Sequence, residues 1–598
     1  MKTIFTTLFT CAFIAVNAQF PAAYSDQITS KAEIDELTRA YLAPQRIVWI
    51  TSDTLVTGSE SLLNKGNSQA YFGRQPVCKI INPGGDRSGM ILDFGIEIQG
   101  GIQITTSLSN RVTPTVRIRF GESVSETCSE VSPLGGFEND GGATNHHAMR
   151  DFEITLPGYG TLEIGNTGYR FVRIDLVDPD TYVAIKEIRA VAVYRDIPYL
   201  GSFTCSDVRL NRIWETAAYT VHVTMQDYLW DGIKRDRMVW AGDMHPEIMA
   251  INRVFGYNEV VPKSLDFLRD HTPLPAYMNG ISSYSMWWVI MQHDWFMYHG
   301  DRTYLEKQKE YLLPLLEQFT GLVNDTTGKE MLESAGWLFL DWPSSTNKEA
   351  VHAGLQGLMV MTFEKGAYLC QELGEPEKAA SYNKIAMLMG QYQPDPGTSK
   401  QAASLLVLSG IADAKELGSE VIAAGGPENF STFFGYYMLE ALAVGGYYTE
   451  AMNIISQYWG GMLDMGATTF WEDFDLSETV NASPIDQLTP ADMIDYHRTT
   501  GMACFIGLRR SLCHGWAAGP APWLSEHVLG IKVLEPGCSR ISIEPHLGKL
   551  DWAEGTFPTP YGVVYVKHTK NKRGKVVTEF TVPEGVEVEE GTSLRLVR

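Results

Sequence analysis

Some three hundred residues of recurring helical pattern, broken at near-regular intervals, constrain this chain more than any other feature. From Ser206 the apolar residues take up helical spacing. In SDVRLNRIWETAAYTVHVTMQDY, Leu210, Ile213, Trp214, Ala217, Val221 and Met225 share one face, and Ser206 or Asp207 can cap it. Further stretches follow at 301–322, 348–373, 376–392, 400–412, 431–445 and 448–460. A glycine stop and a fresh start recur at Gly300-Asp301, Gly374-Glu375 and Gly446-Tyr447, intervals of 74 and 72 residues. Each interval holds two helices. A helix pair cannot bury its apolar face alone, so about six such pairs predict a closed (α/α)6 barrel, with an open solenoid as the alternative.

The flanks change period. From Val48 to Asp196, apolar residues alternate, as in Val116, Ile118 and Phe120 or Val172, Ile174 and Leu176, between Gly- and Asn-rich turns. Period two with such turns predicts a β-sandwich or jelly roll. GYGTLEIG at 158–165 opens no helix, so it is no dinucleotide fingerprint. After GPAPW at 519–523 strands return, and VVYVKHTKNKRGKVVTEFTV reads as a hairpin around a basic turn. The expected fold is multidomain: an N-terminal β-sandwich over 19–200, the helical barrel over 201–516 and a C-terminal β-sandwich over 517–598.

Residues 1–18, MKTIFTTLFTCAFIAVNA, combine a basic start, an apolar run and a small-residue end, the pattern of a secretory signal peptide too short to span a bilayer. Export to the periplasm or the cell exterior is the expectation, with no membrane span in the remainder. Lys plus Arg number 48 against 71 Asp plus Glu, a net charge of -23 that repels phosphate backbones and excludes a general nucleic-acid partner. The cysteines after Cys11 are seven, without paired close spacing, so neither a disulfide scaffold nor a zinc site is expected. His245, His293 and His299 show no metal-ligand spacing, and no cofactor motif is present. The 14 Trp and 27 Tyr supply flat apolar faces beside polar edges, a composition that suits sugar rings or simply large cores.

Two segments concentrate the chemistry. DYLWDGIKRDRMVWAGDMHPE at 227–247 gathers Asp231, Lys234, Arg235, Asp236, Arg237, Asp243, His245 and Glu247 around Trp230 and Trp240. A surface ion-pair network is the ordinary reading of such a cluster. Packing around tryptophans and glycines favours a lined cavity, where carboxyls can hold different protonation states. GGMLDMGATTFWEDFD at 460–475 brings a second acid, Glu472, some 230 residues later. A glycosidase needs such a pair: one carboxyl to protonate the departing oxygen, another to activate water or attack the sugar.

KRDRMVWAGD and GATTFWE resemble the two catalytic motifs of glycoside hydrolase family 78, the α-L-rhamnosidases. The segment from Asp231 to Asp243 matches the family's DCPxRERLGWTGD in length. SKQAASLLVLSG at 399–410 and SLCHGWAAGPAPWL at 511–524 are similar to further family segments. The resemblance covers about residues 200 to 598, with a β-domain in front. It implies inverting hydrolysis of terminal α-L-rhamnose from a plant or microbial glycan, with Asp236 as general acid and Glu472 as general base. It also implies substrate-binding roles for Asp231, Arg237, Trp240, Asp243 and His514. Inversion requires carboxyls roughly 6.5–9.5 Å apart, with room for water. The chain departs from the pattern in carrying Asp236 where the family commonly has Glu, which leaves Asp243 or Glu247 as other candidates for the acid. Gly232-Ile233 replaces the usual Cys-Pro.

Trp342, in the loop GWLFLDWPSSTN, is expected to stack on sugar, and one of Trp287 and Trp288, with Trp288 preferred, to face the cavity. Tandem tryptophans on a helix are more often core. Two rival functions remain: another helical-barrel exo-glycosidase or polysaccharide lyase, and a non-catalytic glycan-binding protein. No cofactor is expected, and the residues neither require nor locate a calcium ion in the β-domains.

Overall fold

The computed structural model describes residues 37–85, 87–133, 140–501, 506–589 and 594–596. The signal-peptide reading at 1–18 lies outside them. From Leu37 onward the chain forms one compact unit.

Among the described residues, nine antiparallel strands build the first region: β1 (Leu37–Leu42), β2 (Arg46–Ile50), β3 (Val56–Thr57), β4 (Cys78–Asn82), β5 (Ser88–Ser107), β6 (Thr115–Gly121), β7 (Asp151–Thr155), β8 (Gly160–Leu176) and β9 (Thr181–Arg195). Their order is β3-β4-β9-β5-β8-β6-β7, with β1 on β9 and β2 on β5. The long strands β5 and β8 serve both layers of a sandwich. Residues 88–93 of β5 pair with 171–176 of β8, the register shifts between Asp93 and Ile98, and beyond the shift β5 pairs with β8 again over 98–106 and with β9 over 100–107. Bulges bend strands in this way. Met90, Val116, Ile118, Phe120, Val172 and Ile174 from one layer and Ile102, Ile104, Val183, Ile185 and Ile188 from the other fill a single core.

The helical region opens with α1 (Val208–Thr224), capped by Asp207, whose carboxylate accepts from the backbone of Arg209 and Leu210. Then come α2 (Ala241–Val254), α3 (Val260–Asp270), α4 (Ser282–His299), α5 (Arg302–Thr320), α6 (Lys348–Glu372), α7 (Pro376–Met389), α8 (Lys400–Leu408), α9 (Ala414–Leu417), α10 (Gly435–Val444) and α11 (Tyr448–Asp464). The last member is irregular: a 3-10 turn at Gly515–Ala518, the short α12 (Pro520–Trp523) and a wide turn at Leu524–Val528. Helices α2, α4, α6, α8, α10 and α12 touch in sequence, and α12 returns to α2, so six hairpins close a ring. The closing hairpin therefore runs to Val528, and a boundary at 516 cuts through it. GPAPW reads as a break, yet a proline at the first helical position costs no hydrogen bond, which lets Pro520 open a helix.

The C-terminal region holds β11 (Ile531–Val533), β12 (Arg540–Ile543), β13 (Trp552–Thr559), β14 (Gly562–Lys570), β15 (Val576–Thr581), β16 (Glu587–Val588) and β17 (Leu594–Leu596). The hairpin read around the basic turn is β14–β15. β10 (Ser202–Cys205), which precedes the barrel, pairs with β13 and is the edge of this distant sheet, not part of the barrel. Phe557, Val564, Val566 and Phe580 join the barrel core, so this sheet is packed onto the helices. The N-terminal sandwich meets the barrel through polar contacts, including Arg170 to the Gly466 carbonyl at 2.9 Å and the Tyr219 hydroxyl to the Glu97 carbonyl at 2.6 Å. No described helix is long and apolar enough to cross a membrane.

Candidate active site

The loop between α1 and α2 and the loops after α11 meet at one end of the barrel. They enclose a cavity of about 280 Å³ lined by Asp231, Asp236, Trp240, Asp243, Trp342, Glu472 and His514 together with Arg235, Ile281, Tyr284, Trp337, Phe339, Arg509 and Trp516. Residues far apart in sequence are joined by backbone here. Gly232 bridges His514, the Gly515 N–H donates to the Asp231 carbonyl at 2.8 Å, and the His514 N–H donates to Phe470 at 3.0 Å.

Arg235 sits between the two acids. Its Nη1 donates to Asp236 Oδ1 at 2.9 Å and its Nη2 donates to Glu472 Oε1. Glu472 is sealed in, with its side chain 0% exposed against 17% for Asp236. Its Oε2 accepts the Ser511 N–H at 2.9 Å, its carbonyl accepts from Thr432 Oγ1 at 2.6 Å and Trp516 Nε1 at 3.1 Å, and His514 Nδ1 lies 3.7 Å from Oε1.

Asp236 and Arg237 both have left-handed backbone, φ 54° and 56°. Such positions cost on the order of 1–3 kcal/mol each for a residue with a Cβ. The turn is held from the β-domain. The Asp236 N–H donates to His147 Nδ1 at 3.1 Å, and Arg237 donates to the Asn166 carbonyl at 2.9 Å and Oδ1 at 3.0 Å while lying over the Trp230 ring. Burial, against the pull of Asp236, pushes His147 down to about 4, so the neutral ring can accept.

The cavity floor is acidic. Burial raises Asp231 well above the usual carboxylate range, aided by Asp236 and Asp243, although its Oδ1 accepts the Met238 N–H at 2.9 Å. Asp243, in the first turn of α2, is also raised by burial. Its Oδ2 lies 3.0 Å from His514 Nε2 and its Oδ1 accepts from the Tyr284 hydroxyl at 3.3 Å. The walls are aromatic: Trp337, Phe339 and Trp342 meet edge to face or tilted at 5.1–5.8 Å, and Trp516 stacks on Phe433 at 4.8 Å. Flat apolar walls over hydrogen-bonding carboxyls fit a ring carrying hydroxyls.

Two expected substrate residues lie elsewhere. Arg237 does not line the cavity; the left-handed turn points it at the β-domain. Trp288 is fully buried and its Nε1 donates to the Leu265 carbonyl at 3.1 Å. Trp287 is also buried, stacked with His245 and Tyr437. Helix α4 is buried on almost every side, so its sequence offers no single cavity face. Glu247, weighed as an alternative acid, is fully buried and does not line the cavity. The expectations missed Arg235 as the link between the acids, and Tyr284, Trp337, Phe339, Arg509 and Trp516 as lining. Arg235, Trp337 and Trp516 stand in motifs already singled out, and Arg509 lies just before one; nothing marks Tyr284.

Fold and cavity together fit a six-hairpin glycosidase domain. The profile of the bacterial alpha-L-rhamnosidase six-hairpin glycosidase domain matches residues 198–395, which include Asp231, Asp236 and Asp243, and the profile of the bacterial alpha-L-rhamnosidase C-terminal domain matches 530–589. The chain thus has a helical region and a C-terminal region that are each similar to a domain of the bacterial alpha-L-rhamnosidases. It is similar to an alpha-L-rhamnosidase of Alteromonas sp. (strain LOR), 25% identical over 561 residues, covering 84% of this chain and 55% of that protein. It thus spans about half the length of that curated relative. The fold resembles the GH78 rhamnosidase of Bacillus sp. GL1, with TM-score 0.69, 21% identity, and 90% of this chain and 55% of that one covered. It also resembles the rhamnosidase from Klebsiella oxytoca with rhamnose bound, with TM-score 0.64, 22% identity, and coverage of 82% and 95%.

Proposed function

We propose that this chain is an exported, inverting glycoside hydrolase that removes terminal α-L-rhamnose from a glycan. The observation that carries the reading is the placement of Asp236 and Glu472 on the two arms of one guanidinium, across a single aromatic-walled cavity. Asp236, the more exposed carboxyl, protonates the departing glycosidic oxygen. Glu472, fixed at the wall, takes a proton from water as that water bonds to the anomeric carbon from the opposite face. The bond to the leaving oxygen breaks, and free rhamnose leaves with inverted configuration. Asp231, Asp243 and His514 bind ring hydroxyls, and Trp240, Trp342 and Trp516 cover apolar faces. The relatives' names and the bound rhamnose of the Klebsiella protein support the sugar assignment.

The test is hydrolysis by Asp236→Asn of p-nitrophenyl α-L-rhamnoside and of an alkyl α-L-rhamnoside, whose poor leaving group needs a proton. General acid catalysis contributes roughly 10²–10⁴-fold, so the alkyl substrate should lose about that much and the nitrophenyl substrate less. Equal, unimpaired turnover of both by the variant would remove Asp236 as the acid. Proton NMR of the first-formed anomer reads the stereochemistry. Export is read separately, from the N-terminal mass of the mature protein recovered outside the cytoplasm.

A further inference from the structure

Behind Glu472, the β-domain and the barrel share a buried layer of ionisable groups that the reaction does not use directly, in which burial pushes Glu122 up to about 7 against the pull of Lys234. Glu122 directly follows β6 and is fully buried. Its Oε2 accepts the Leu512 N–H at 2.6 Å and lies 3.0 Å from Lys234 Nζ; its Oε1 accepts from Ser511 Oγ at 3.1 Å. Ser511 is also the residue that grips the proposed base: its N–H donates to Glu472 Oε2 at 2.9 Å and its carbonyl accepts the Glu472 N–H at 3.0 Å. Lys234 binds the same segment, donating to the carbonyls of Leu508 at 2.9 Å and Arg510 at 2.6 Å, and it directly precedes Arg235 in the chain. Glu126, Glu97, Arg150, Arg510 and His497 complete the layer.

Glu122, Glu126 and His497 lie close enough together to hold a cation, and the Lys234 ammonium supplies the positive charge there, 3.4 Å from Glu126. His497 has both ring nitrogens engaged, with Ser123 Oγ at 2.7 Å and the Arg510 carbonyl at 3.1 Å.

We propose that Glu122, contributed by the N-terminal β-domain, is a positioning residue for Glu472, acting through Ser511 and Leu512 with Lys234 as its counter-ion. The proposal rests on the reading of Glu472 as the base. A general base must hold one oxygen toward its water within about 0.5 Å, and a side chain is held that well only when its partners are held too. Two acceptor oxygens on one carboxylate fix consecutive residues of the segment, a constraint that neither a water nor an apolar side chain reproduces.

The experiment measures kcat, KM, inhibition by L-rhamnose, the pH–kcat profile and the thermal midpoint for Glu122→Gln, Glu122→Leu, Glu122→Asp and the pair Glu122→Leu with Lys234→Met. Outer partners of catalytic groups typically account for about 10–100-fold in activity, so Glu122→Leu should lose that much in kcat with KM and rhamnose inhibition little changed. Loosening the Ser511 N–H from Glu472 disfavours its charged form, so the acid limb of the profile should move to higher pH. Glu122→Gln, which keeps one acceptor oxygen for Leu512 and loses the one for Ser511 Oγ, should fall between the wild type and Glu122→Leu in kcat. Glu122→Asp keeps the charge but draws it back from the segment, and should show the kcat loss and limb shift at a nearly unchanged thermal midpoint. If Glu122 only neutralises Lys234, the Gln and Leu variants will be equally poor and the double variant will recover, which overturns the proposal. Wild-type kcat and acid limb in folded Glu122→Asp would overturn it as well. Glu472→Gln separates the two readings: if it stays active the base assignment fails, and if it is inactive while Glu122 variants are normal, only the positioning role fails.

Discussion

At the scale of single residues, the turn at Asp236 and Arg237 decides the geometry. Two consecutive left-handed residues with side chains persist only where their surroundings hold them. Arg237 contributes by clamping Asn166 and Trp230, so its effect on catalysis runs through the orientation of Asp236 rather than through substrate. We expect Arg237→Ala to lower kcat by about 10-fold or more, the order seen for groups that hold catalytic residues in place, and to leave inhibition by L-rhamnose within about 2-fold. A pocket-lining arginine would show the reverse, with weakened rhamnose binding. That Asp236 and Glu472 share one cavity is legible from their motifs. The direction of Arg237 is not, because two φ angles that no residue type announces turn it away from the sugar. Trp288 failed for another reason: on a helix buried all round, adjacent tryptophans carry no record of which neighbour is the cavity.

At the scale of elements, helical period marks α1, α5 to α8, α10 and α11 and alternation marks strands such as β6 and β8, while α2 and α3, which begin in or after the charged 227–247 segment, lie outside the stretches so marked. The closing member of the ring straddles the expected boundary at 516, because it contains two prolines and runs for more than half its length outside α-helix. It is nevertheless tightly fitted. A Cβ placed on Gly515 would stand 1.5 Å from Glu247 Oε1 and 2.4 Å from its carboxyl carbon, with that side chain itself fully buried. Gly515→Ala should therefore cost roughly 1–3 kcal/mol, the range for overpacking a filled core, measured as a lowered thermal midpoint. The loop carrying Trp337, Phe339 and Trp342 makes a different prediction. Trp337 is 50% exposed at the cavity edge, so under the proposed function it is the wall residue free to meet the sugar beyond the cleavage site. Trp337→Ala should raise KM for a rhamnosyl disaccharide roughly 2- to 12-fold, the equivalent of one aromatic contact, without changing inhibition by free rhamnose. Equal effects on both would place the tryptophan against rhamnose itself.

For the whole molecule, buried carboxyls tie stability to pH. Burial pushes Asp341 up to about 6 although Ser431, Gln401 and the Trp342 N–H all donate to it. Between roughly pH 4 and 6 the folded chain holds a proton there that the unfolded chain has released, so stability falls as pH rises through that window, by at most about 3 kcal/mol. Asp341→Asn lacks that loss, and the variant should gain on the wild type in thermal midpoint between pH 4.5 and 7.5. An unchanged difference would assign the pH response to other groups.

The strand β10 gives the chain an unusual schedule. Ser202 and Thr556, joined through their hydroxyls at 2.8 Å, are 354 residues apart. At the roughly 5–20 residues per second of protein synthesis, β10 emerges on the order of 20–70 s before its partner exists. Until then the barrel has an entrance with no matching exit, and an unpaired edge is open to wrong partners. Folding of this chain should therefore be slow, dominated by its longest-range pairing, and any truncation ahead of Trp552 should leave that edge without a partner and the chain prone to aggregate.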